Sequence, residues 1–226
     1  MIKPDVIIIG AGHNGLVCAS YLARAGMDVL VLESGESTGG MAAPRVLNDD
    51  YHFPGLAHVS YPLSPTIRRD LKLDHFGYAS GKAIDTIALD ANSRHLTISA
   101  HAISGGQLGK TDIKAYPEFR KQYLAFAKSL SPLFNNKPPR LKNMELRDTA
   151  TLAKLGWNVR MGLGRDTMYE FLRVAAINIY DVLNETFDNE QLKGALALDA
   201  VMGSAMGPRT PGTVLTWLQR LFGELN

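Results

Sequence analysis

The chain has 226 residues, of which 46% are hydrophobic and 20% charged, and 21 are glycine. A chain of this length can bury roughly 70–75% of the surface that it exposes when unfolded, so a core can form without a disulfide or a structural metal. The net charge of +2 is too small to favour nucleic acid as the main partner, and the composition indicates a globular α/β protein.

The first strong pattern along the chain predicts a strand, a glycine turn, a helix and a second strand. Val6–Ile9 are apolar and β-branched without alternation, which is typical of a strand covered on both faces in a parallel sheet. Apolar residues at helical spacing over 16–25 predict a helix that ends at Gly26. Val29–Leu32 form the second predicted strand, again buried on both faces.

Three glycines and one acid give this unit a predicted ligand. Gly10, Gly12 and Gly15 have the spacing G-x-G-x-x-G, in which the first permits a tight turn, the second lets a pyrophosphate approach the backbone and the third lets the helix pack on the strand. Glu33 ends the second strand, where a carboxylate can bind both ribose hydroxyls of an adenosine and would repel the 2′-phosphate of NADP. The pattern predicts a site for FAD or NAD, with an empty glycine turn as the alternative.

A glycine doublet, Gly39-Gly40, follows Glu33 after five residues, and a site for NAD alone has no need of it. Acid, spacer and doublet resemble the extended fingerprint of two-dinucleotide-binding flavoproteins. The stretch is similar to the phytoene desaturase and amine oxidase superfamily, and more narrowly to the pyridine nucleotide-disulphide oxidoreductase domain-containing protein 2 group. The narrower resemblance rests on G-A-G-H-N-G at 10–15, the doublet, Y-H-F-P-G at 51–55 and G-P-R-T-P-G-T at 207–213.

The resemblance implies an FAD-dependent oxidoreductase that oxidises C–C or C–N bonds of a small, mainly apolar substrate by hydride transfer to the flavin. It also brings His52 and His58 near the flavin, with surface or structural roles as the alternative. We name no catalytic residue, and we expect no metal because the six histidines are scattered and there are no paired cysteines. The predicted cofactor-binding residues are Gly10, Ala11, Gly12, His13, Asn14, Gly15, Glu33, Ser34, Gly39, Gly40 and Met41.

We divide the chain into an FAD- or dinucleotide-binding part at 1–84 and a mostly helical part at 85–226, which the resemblance implies is the substrate side. In the first part the sequence predicts three further features: a polar loop at 44–50, a short strand at 51–55, and a helix at 64–73 with Pro65 in its first turn. The second part is predicted to begin with two strands joined by a turn: 86–89, 95–99 and the turn 90–93, followed by a glycine loop at 105–109.

Helices are predicted for most of the remaining chain. An apolar stripe with a period of three to four residues over 111–133 predicts a long helix packed on the core, with the wall of a substrate channel as the alternative; Pro117 marks a first turn or a kink. Later helices are predicted at 149–155, 167–183, 189–202 and 213–222, with Asp166 and Asp188 as caps. The linker 135–140 lies among basic residues, which favours a solvated loop, with a membrane-surface contact as the alternative: Lys137, Arg140, Lys142 and Arg147.

The compartment is predicted from what the sequence contains. The single cysteine, Cys18, has no intrachain disulfide partner, which fits a reducing compartment, and the first residues have no leader pattern, so we expect a cytoplasmic protein. No apolar run approaches 18 residues, and no membrane span is expected.

Proteins of the resembling family continue for about as long again, so the resemblance implies an incomplete fold: a truncated chain, a split gene product or a subunit. Its exposed apolar faces are expected to lead to self-association or to pairing with a second polypeptide. Three functions stay open at this point. They are the N-terminal part of an FAD-dependent oxidoreductase, an NAD-linked dehydrogenase, and a non-catalytic nucleotide-binding subunit that needs a partner chain.

Overall fold

The chain divides into two compact units, Met1–Gly81 and Lys82–Asn226. The structure is a computed structural model that describes residues 3–48, 51–54, 63–79 and 81–225. His58 lies outside the described residues, as does the side chain of His52, so their predicted place near a flavin stays a prediction.

The first unit begins with the predicted strand–helix–strand motif, which is confirmed. Strand β1 (Val6–Ile9), helix α1 (His13–Arg24) and strand β2 (Val29–Leu32) follow one another, and the two strands pair in parallel. Gly26 lies just beyond the end of α1 with φ of +88°, a conformation that suits glycine because it has no Cβ. The predicted α/β fold with a Rossmann-like unit therefore holds.

The prediction that β1 and β2 are covered on both faces is wrong for the part of the chain that is described. Helix α1 packs on the face that contains Ile8, whose side chain lies close to Gly15. The residues that alternate with Ile8 are exposed, and Ile9 reaches 89%. One apolar face of this strand pair is thus open, since in a strand successive side chains point to opposite faces.

The rest of the first unit is a hairpin and a short helix. Strand β3 (Arg45–Asn48) pairs antiparallel with β4 (Tyr51–Phe53), so the polar loop predicted at 44–50 is partly strand. Its own sequence is not strongly strand-like, and the pairing with β4 decides its conformation. Helix α2 (Pro65–Asp70) starts at Pro65 as predicted, but it ends three residues before the predicted end, and a 3₁₀ turn at Leu73–Phe76 follows.

The second unit opens with a three-stranded antiparallel sheet in the order β5 (Thr86–Ala88), β6 (Leu96–Ile98) and β7 (Ile103–Gly105). The predicted hairpin is confirmed, but Gly105, which was predicted to begin a glycine loop, is instead the last residue of β7. Gly105 has φ of +80°, and a Cβ there would lie 2.5 Å from the carbonyl oxygen of His95. The glycine that suggested a loop instead lets β7 pass close to the neighbouring chain.

Seven helices follow in the described part of this unit: α3 (Lys110–Ser129), α4 (Ser131–Phe134), α5 (Leu146–Trp157), α6 (Arg165–Val174), α7 (Ile179–Thr186), α8 (Glu190–Val201) and α9 (Thr213–Gly223). A single π-helical turn, Asn158–Gly162, continues α5. None of the helices in the described ranges is both long and apolar enough to cross a membrane.

The core of the second unit is built on α3, where the aromatic residues of the predicted apolar stripe are buried, although Ile113 at its start is 46% exposed. The rings of Phe119 and Tyr123 lie 5.5 Å and 5.0 Å from that of Trp217 in α9. Pro117 lies inside α3, beyond the first turn, and its side chain is exposed. The packing interpretation of the stripe is therefore confirmed for these side chains.

The helix predicted at 167–183 is in fact two helices separated at 175–178. Asn178 is the N-cap of α7, because its side-chain oxygen accepts a hydrogen bond from the backbone N–H of Asp181 at 2.8 Å. Because the apolar spacing continues across this break, it predicted a single helix and gave no sign of the cap at Asn178.

Both predicted aspartate caps are wrong by one or two residues. Gly164 is the N-cap of α6, and Asp166 lies in the first turn. Asn189 caps α8 by accepting the N–H of Leu192 at 2.9 Å. Asp188 lies immediately before that cap. The sequence could not distinguish the two positions, because aspartate and asparagine have similar capping preferences.

Candidate dinucleotide site

The carboxyl ends of β1 and β2 bring the glycine turn and Glu33 together. Ile9 pairs with Leu32, so the residues that follow each strand leave the sheet at the same edge. The backbone N–H of Gly10 donates to the Leu32 carbonyl at 2.7 Å and extends the contact by one residue. This edge is where ligands bind in open parallel sheets.

The Glu33 side chain binds backbone groups of the site. Its Oε2 accepts the N–H of Ala11 at 2.7 Å, and its Oε1 accepts the N–H of Gly35 at 2.9 Å and the Ser34 hydroxyl at 3.4 Å. The hydrogen bonds from Gly35 and Ala11 lower the pKa of Glu33, because they favour the ionised form. The carboxylate is exposed and retains acceptor capacity on Oε2, since each oxygen has two lone pairs.

Ala11 links all three predicted segments of the site. It is buried, its N–H binds Glu33, and its carbonyl accepts the N–H of Gly39 at 2.7 Å. Gly12 and Gly39 also form a parallel backbone bridge. Sequence reasoning named Ala11 only as a turn residue, because backbone hydrogen bonds leave no signal in residue type.

The three glycines of the turn differ in backbone conformation and in the space around them. Gly10 has φ of +99°, and a Cβ on Gly15 would lie 2.2 Å from the Gly10 carbonyl oxygen, so the protein itself requires both. Gly12 has φ of −69°, and a Cβ there would lie 4.0 Å from Gly40 Cα, an ordinary contact distance. The surrounding protein therefore leaves room for a side chain at Gly12.

The turn leads directly into the N-terminus of α1, with Gly12 as the N-cap residue. The first backbone N–H groups of a helix have no carbonyl partner within the helix, and they carry the positive end of its dipole. His13 and Asn14 are exposed there, and the residues of this turn are not acidic. Such a helix start has the donors and the field that bind a phosphate.

The glycine doublet lies against the turn. Gly39 and Gly40 have φ of +111° and +58°, and a Cβ on Gly40 would lie 3.0 Å from Gly12 Cα. Met41 follows in an exposed 3₁₀ turn, Gly40–Ala42. The close approach predicted for the doublet is thus made to the backbone of the glycine turn, and an approach to a flavin stays a prediction.

The segment 207–213, which had no predicted chemistry, holds the start of α7. The buried Thr213 hydroxyl accepts the N–H of Ile179 and donates to the Thr210 carbonyl, both at 2.9 Å. The Pro208 carbonyl accepts the N–H of Tyr180 at 3.2 Å. These contacts satisfy orphan N–H groups at a helix N-terminus, so they explain the segment structurally.

Comparison with known proteins finds a family match within the first unit. Residues 8–72 match the NAD(P)-binding Rossmann-like domain. The matched segment contains the end of the strand that precedes the glycine turn, the turn itself, Glu33 and the doublet. The dinucleotide-binding class predicted from the sequence agrees with this match.

Two curated relatives extend the similarity. Pyridine nucleotide-disulfide oxidoreductase domain-containing protein 2 of Rattus norvegicus is 28% identical over 247 residues, which cover 99% of this chain and 42% of that protein. Thioredoxin reductase of Aquifex aeolicus is 36% identical over 112 residues, which cover 49% of this chain and 33% of that protein. The predicted resemblance is confirmed, and the chain spans less than half the length of these relatives.

A solved structure shows the same fold at low sequence identity. Wild-type putrescine oxidase bound to putrescine matches with a TM-score of 0.53 and 14% identity, over 96% of this chain and 41% of that one. The likeness concerns the fold, which combines a Rossmann-like unit with a mainly helical region.

Proposed function

We propose that this chain binds FAD through the Rossmann-like domain and forms part of an FAD-dependent oxidoreductase. The observation that carries the proposal is the hydrogen bond between the Glu33 carboxylate and the Ala11 N–H. It joins the acid and the glycine turn at one edge of the sheet, where a ribose and the pyrophosphate next to it would need to be bound together.

The residues present fit the adenosine half of such a cofactor. The N–H groups at the start of α1, around His13 and Asn14, are suited to the pyrophosphate, and Gly12 leaves the space that a phosphate needs. Glu33 would accept the ribose hydroxyls with its remaining lone pairs. When bound, the flavin would supply hydride acceptance, and the protein would bind and orient it and exclude water.

Two observations bear on which dinucleotide binds. The doublet at Gly39 and Gly40 follows the acid with the spacing of the flavoprotein fingerprint, which favours FAD. The match of residues 8–72 to an NAD(P)-binding Rossmann-like domain keeps NAD as a second candidate. Glu33 disfavours NADP, because its carboxylate would repel the 2′-phosphate.

The reaction we propose is oxidation of a C–C or C–N bond in a small, mainly apolar organic substrate. Two observations support it: the similarity to pyridine nucleotide-disulfide oxidoreductase domain-containing protein 2, and the fold shared with putrescine oxidase. We propose 1–84 as the cofactor part, with Gly10, Gly15, Ser34 and Met41 beside the residues above, and 85–226 as the substrate side.

A partner is part of the proposal, because the chain spans 42% of its curated relative. The exposed face of β1 and β2 would be covered by self-association or by a second polypeptide. If the chain binds the cofactor but shows no turnover until that partner is added, it is a non-catalytic nucleotide-binding subunit that needs a partner chain.

The test is a titration of the purified chain with FAD, NAD⁺ and NADP⁺, followed by flavin absorption and fluorescence, with bound cofactor identified by mass. We expect saturable binding of FAD, and Glu33→Ala should weaken it by about 10- to 100-fold, the loss expected for a charged hydrogen-bonding group. Glu36→Ala is the matched control, because Glu36 is an exposed carboxylate of the same loop.

Three outcomes would reject parts of the proposal. Equal losses in the Glu33 and Glu36 variants would remove the ribose role of Glu33. Tighter binding of NAD⁺ than of FAD would replace the flavoprotein by the NAD-linked alternative. Saturation by neither dinucleotide would reject a working site in this chain.

A further inference from the structure

Helix α5 presents an apolar stripe to solvent. Five residues at intervals of three to four lie along its outer side and into the following π-helical turn, and we call them the α5 outer stripe: Leu146, Ala150, Ala153, Trp157 and Met161. The three large side chains are 88%, 67% and 58% exposed in that order. Single exposed apolar residues are common, but a row of them on one helix face marks an interaction surface.

The outer stripe is not a core face left uncovered. Leu155, Val159 and Leu163 pack against the core of the second unit from the opposite side of this segment. The side-chain amide of Asn158 also donates to the Ser129 carbonyl at 3.5 Å. The segment therefore has its apolar contact with the domain already, and the outer stripe is a second apolar face.

The exposed charges around the outer stripe are mainly positive. Arg147, Lys154 and Arg160 are exposed beside it. The two nearby carboxylates are engaged elsewhere: Asp148 is buried and accepts the N–H of Glu145 at 3.0 Å, and Glu145 pairs with Arg140 at 3.3 Å. The surface offered to a partner is thus apolar and cationic.

The concentration of positive charge here is a property of this segment and not of the whole chain. Residues 135–165 contain seven lysines or arginines and two acidic residues, a net charge of +5, whereas the entire chain has a net charge of +2. The remainder of the chain is therefore net negative, at −3. An anionic partner would be attracted to this segment in particular.

We propose that the α5 outer stripe and its flanking cations dock on the surface of an anionic phospholipid bilayer. Leu146 and Met161 would enter the boundary between head groups and acyl chains, and Trp157 would lie at that level, where its ring is apolar and its N–H is polar. The arginine and lysine stems would extend from the apolar zone while their charges bind phosphate or carboxylate groups of the lipids. The helix lies on the membrane and does not cross it.

A second copy of the chain is a poorer occupant of this surface. In a two-fold symmetric dimer the same patch faces itself, so Arg147, Lys154 and Arg160 would meet their own counterparts and repel. A nucleic acid would use the cations but would leave Leu146 and Met161 exposed. The bilayer matches both the charge and the apolar row.

The test uses the full chain with vesicles of phosphatidylcholine, with and without about 30% phosphatidylserine, a composition chosen to supply a negative surface. The chain has two tryptophans, and Trp217 is only 2% exposed, so a change of emission reports Trp157. We expect flotation with the anionic vesicles, a blue shift of the emission, and release by high salt, since surface charges are screened.

Two matched variants locate the surface. Lys154→Glu with Arg160→Glu should lower the affinity for anionic vesicles at least about tenfold, since each basic side chain near such a surface contributes on the scale of 1 kcal/mol. Lys110→Glu with Lys114→Glu makes the same change of charge at exposed positions of α3 and should leave binding nearly unchanged. Trp157→Ser should abolish the blue shift while Trp217 emission reports an intact core.

The proposal is overturned if neutral and anionic vesicles bind equally, if neither binds, or if the two double variants lose binding to the same extent. It is also overturned if the Trp157 emission shifts with protein concentration in the absence of lipid, because that result assigns the face to a second copy of the chain.

Discussion

The Glu33 carboxylate accepts the backbone N–H of Ala11 at 2.7 Å, which joins the end of β2 to the glycine turn that follows β1. The same residue, Ala11, binds Gly39 through its carbonyl. The acid therefore has a structural task before any ribose is present, since it holds the turn in place. A ligand that binds here would find the turn already organised.

The ionisation of Glu33 should set the acid limit of dinucleotide binding. Hydrogen bonds from Gly35 and Ala11 lower its pKa, so the folded state favours the carboxylate. The stabilisation that the ionised Glu33 carboxylate gives to the folded turn is fully present above the ordinary pKa of glutamate. It is lost only as the pH falls through the lowered pKa of Glu33. We expect FAD affinity that stays constant with pH near neutrality, where Glu33 is fully ionised, and that declines only at pH values below the ordinary pKa of a glutamate.

The measurement is FAD affinity against pH, together with an NMR titration of the Glu33 side-chain carbon. Glu33→Gln is the control, because it should remove the acid-dependent part of the affinity. A titration midpoint above the ordinary glutamate value would show that the two N–H groups do not stabilise the charge.

Gly12 and Gly15 should respond differently to alanine. Gly15→Ala puts a Cβ 2.2 Å from the Gly10 carbonyl oxygen, so we expect a loss of about 1–3 kcal/mol of stability and faster hydrogen exchange in α1. Gly12→Ala meets no such contact and should cost about 1 kcal/mol or less. Its FAD affinity should nevertheless fall at least about tenfold, because the Cβ enters the space that a phosphate needs.

Urea denaturation and FAD titration of the two variants separate these effects. The assignment of Gly12 to a ligand fails if Gly12→Ala keeps the parental affinity, or if its unfolding is as impaired as that of Gly15→Ala.

The Thr213 hydroxyl should matter for the start of α7. Thr213→Val keeps the shape but leaves the N–H of Ile179 without its acceptor, so we expect a loss of about 1–3 kcal/mol of unfolding free energy. Thr213→Ser retains the hydroxyl and is the control. Hydrogen exchange at Ile179 should accelerate in the valine variant and stay slow in the serine variant; equal protection in both would contradict the role of the hydroxyl.

The two tryptophans should differ strongly in their effect on stability. Trp217 is buried against Phe119 and Tyr123, so Trp217→Ala should cost about 3–5 kcal/mol. Trp157 is exposed, and Trp157→Ala should change the free energy of unfolding by about 0.5 kcal/mol or less. Urea denaturation followed by circular dichroism measures both, and a large loss at Trp157 would mean that the outer stripe is part of the fold.

Local patterns explain most of what could be predicted from the sequence. The spacing of Gly10, Gly12 and Gly15 between two apolar runs was enough to predict β1, α1 and β2, because each signal lies within a few residues of the element it specifies. The period of the aromatic residues in α3 predicted its buried side in the same way. Errors arose where two local signals competed, as at Asn178, whose cap divides a continuous apolar pattern.

The sequence by itself determined the strand–helix–strand unit, the class of ligand that its glycines and Glu33 favour, and the aromatic core helix α3. Only the tertiary structure decided that Glu33 binds Ala11, that Gly40 lies against Gly12, and that Trp157 faces solvent while Leu155 faces the core. The physical reason is that helical or strand spacing places side chains on the faces of one element. Which backbone group or second element meets each face depends on contacts between residues far apart in the chain, and these contacts leave little trace in residue type.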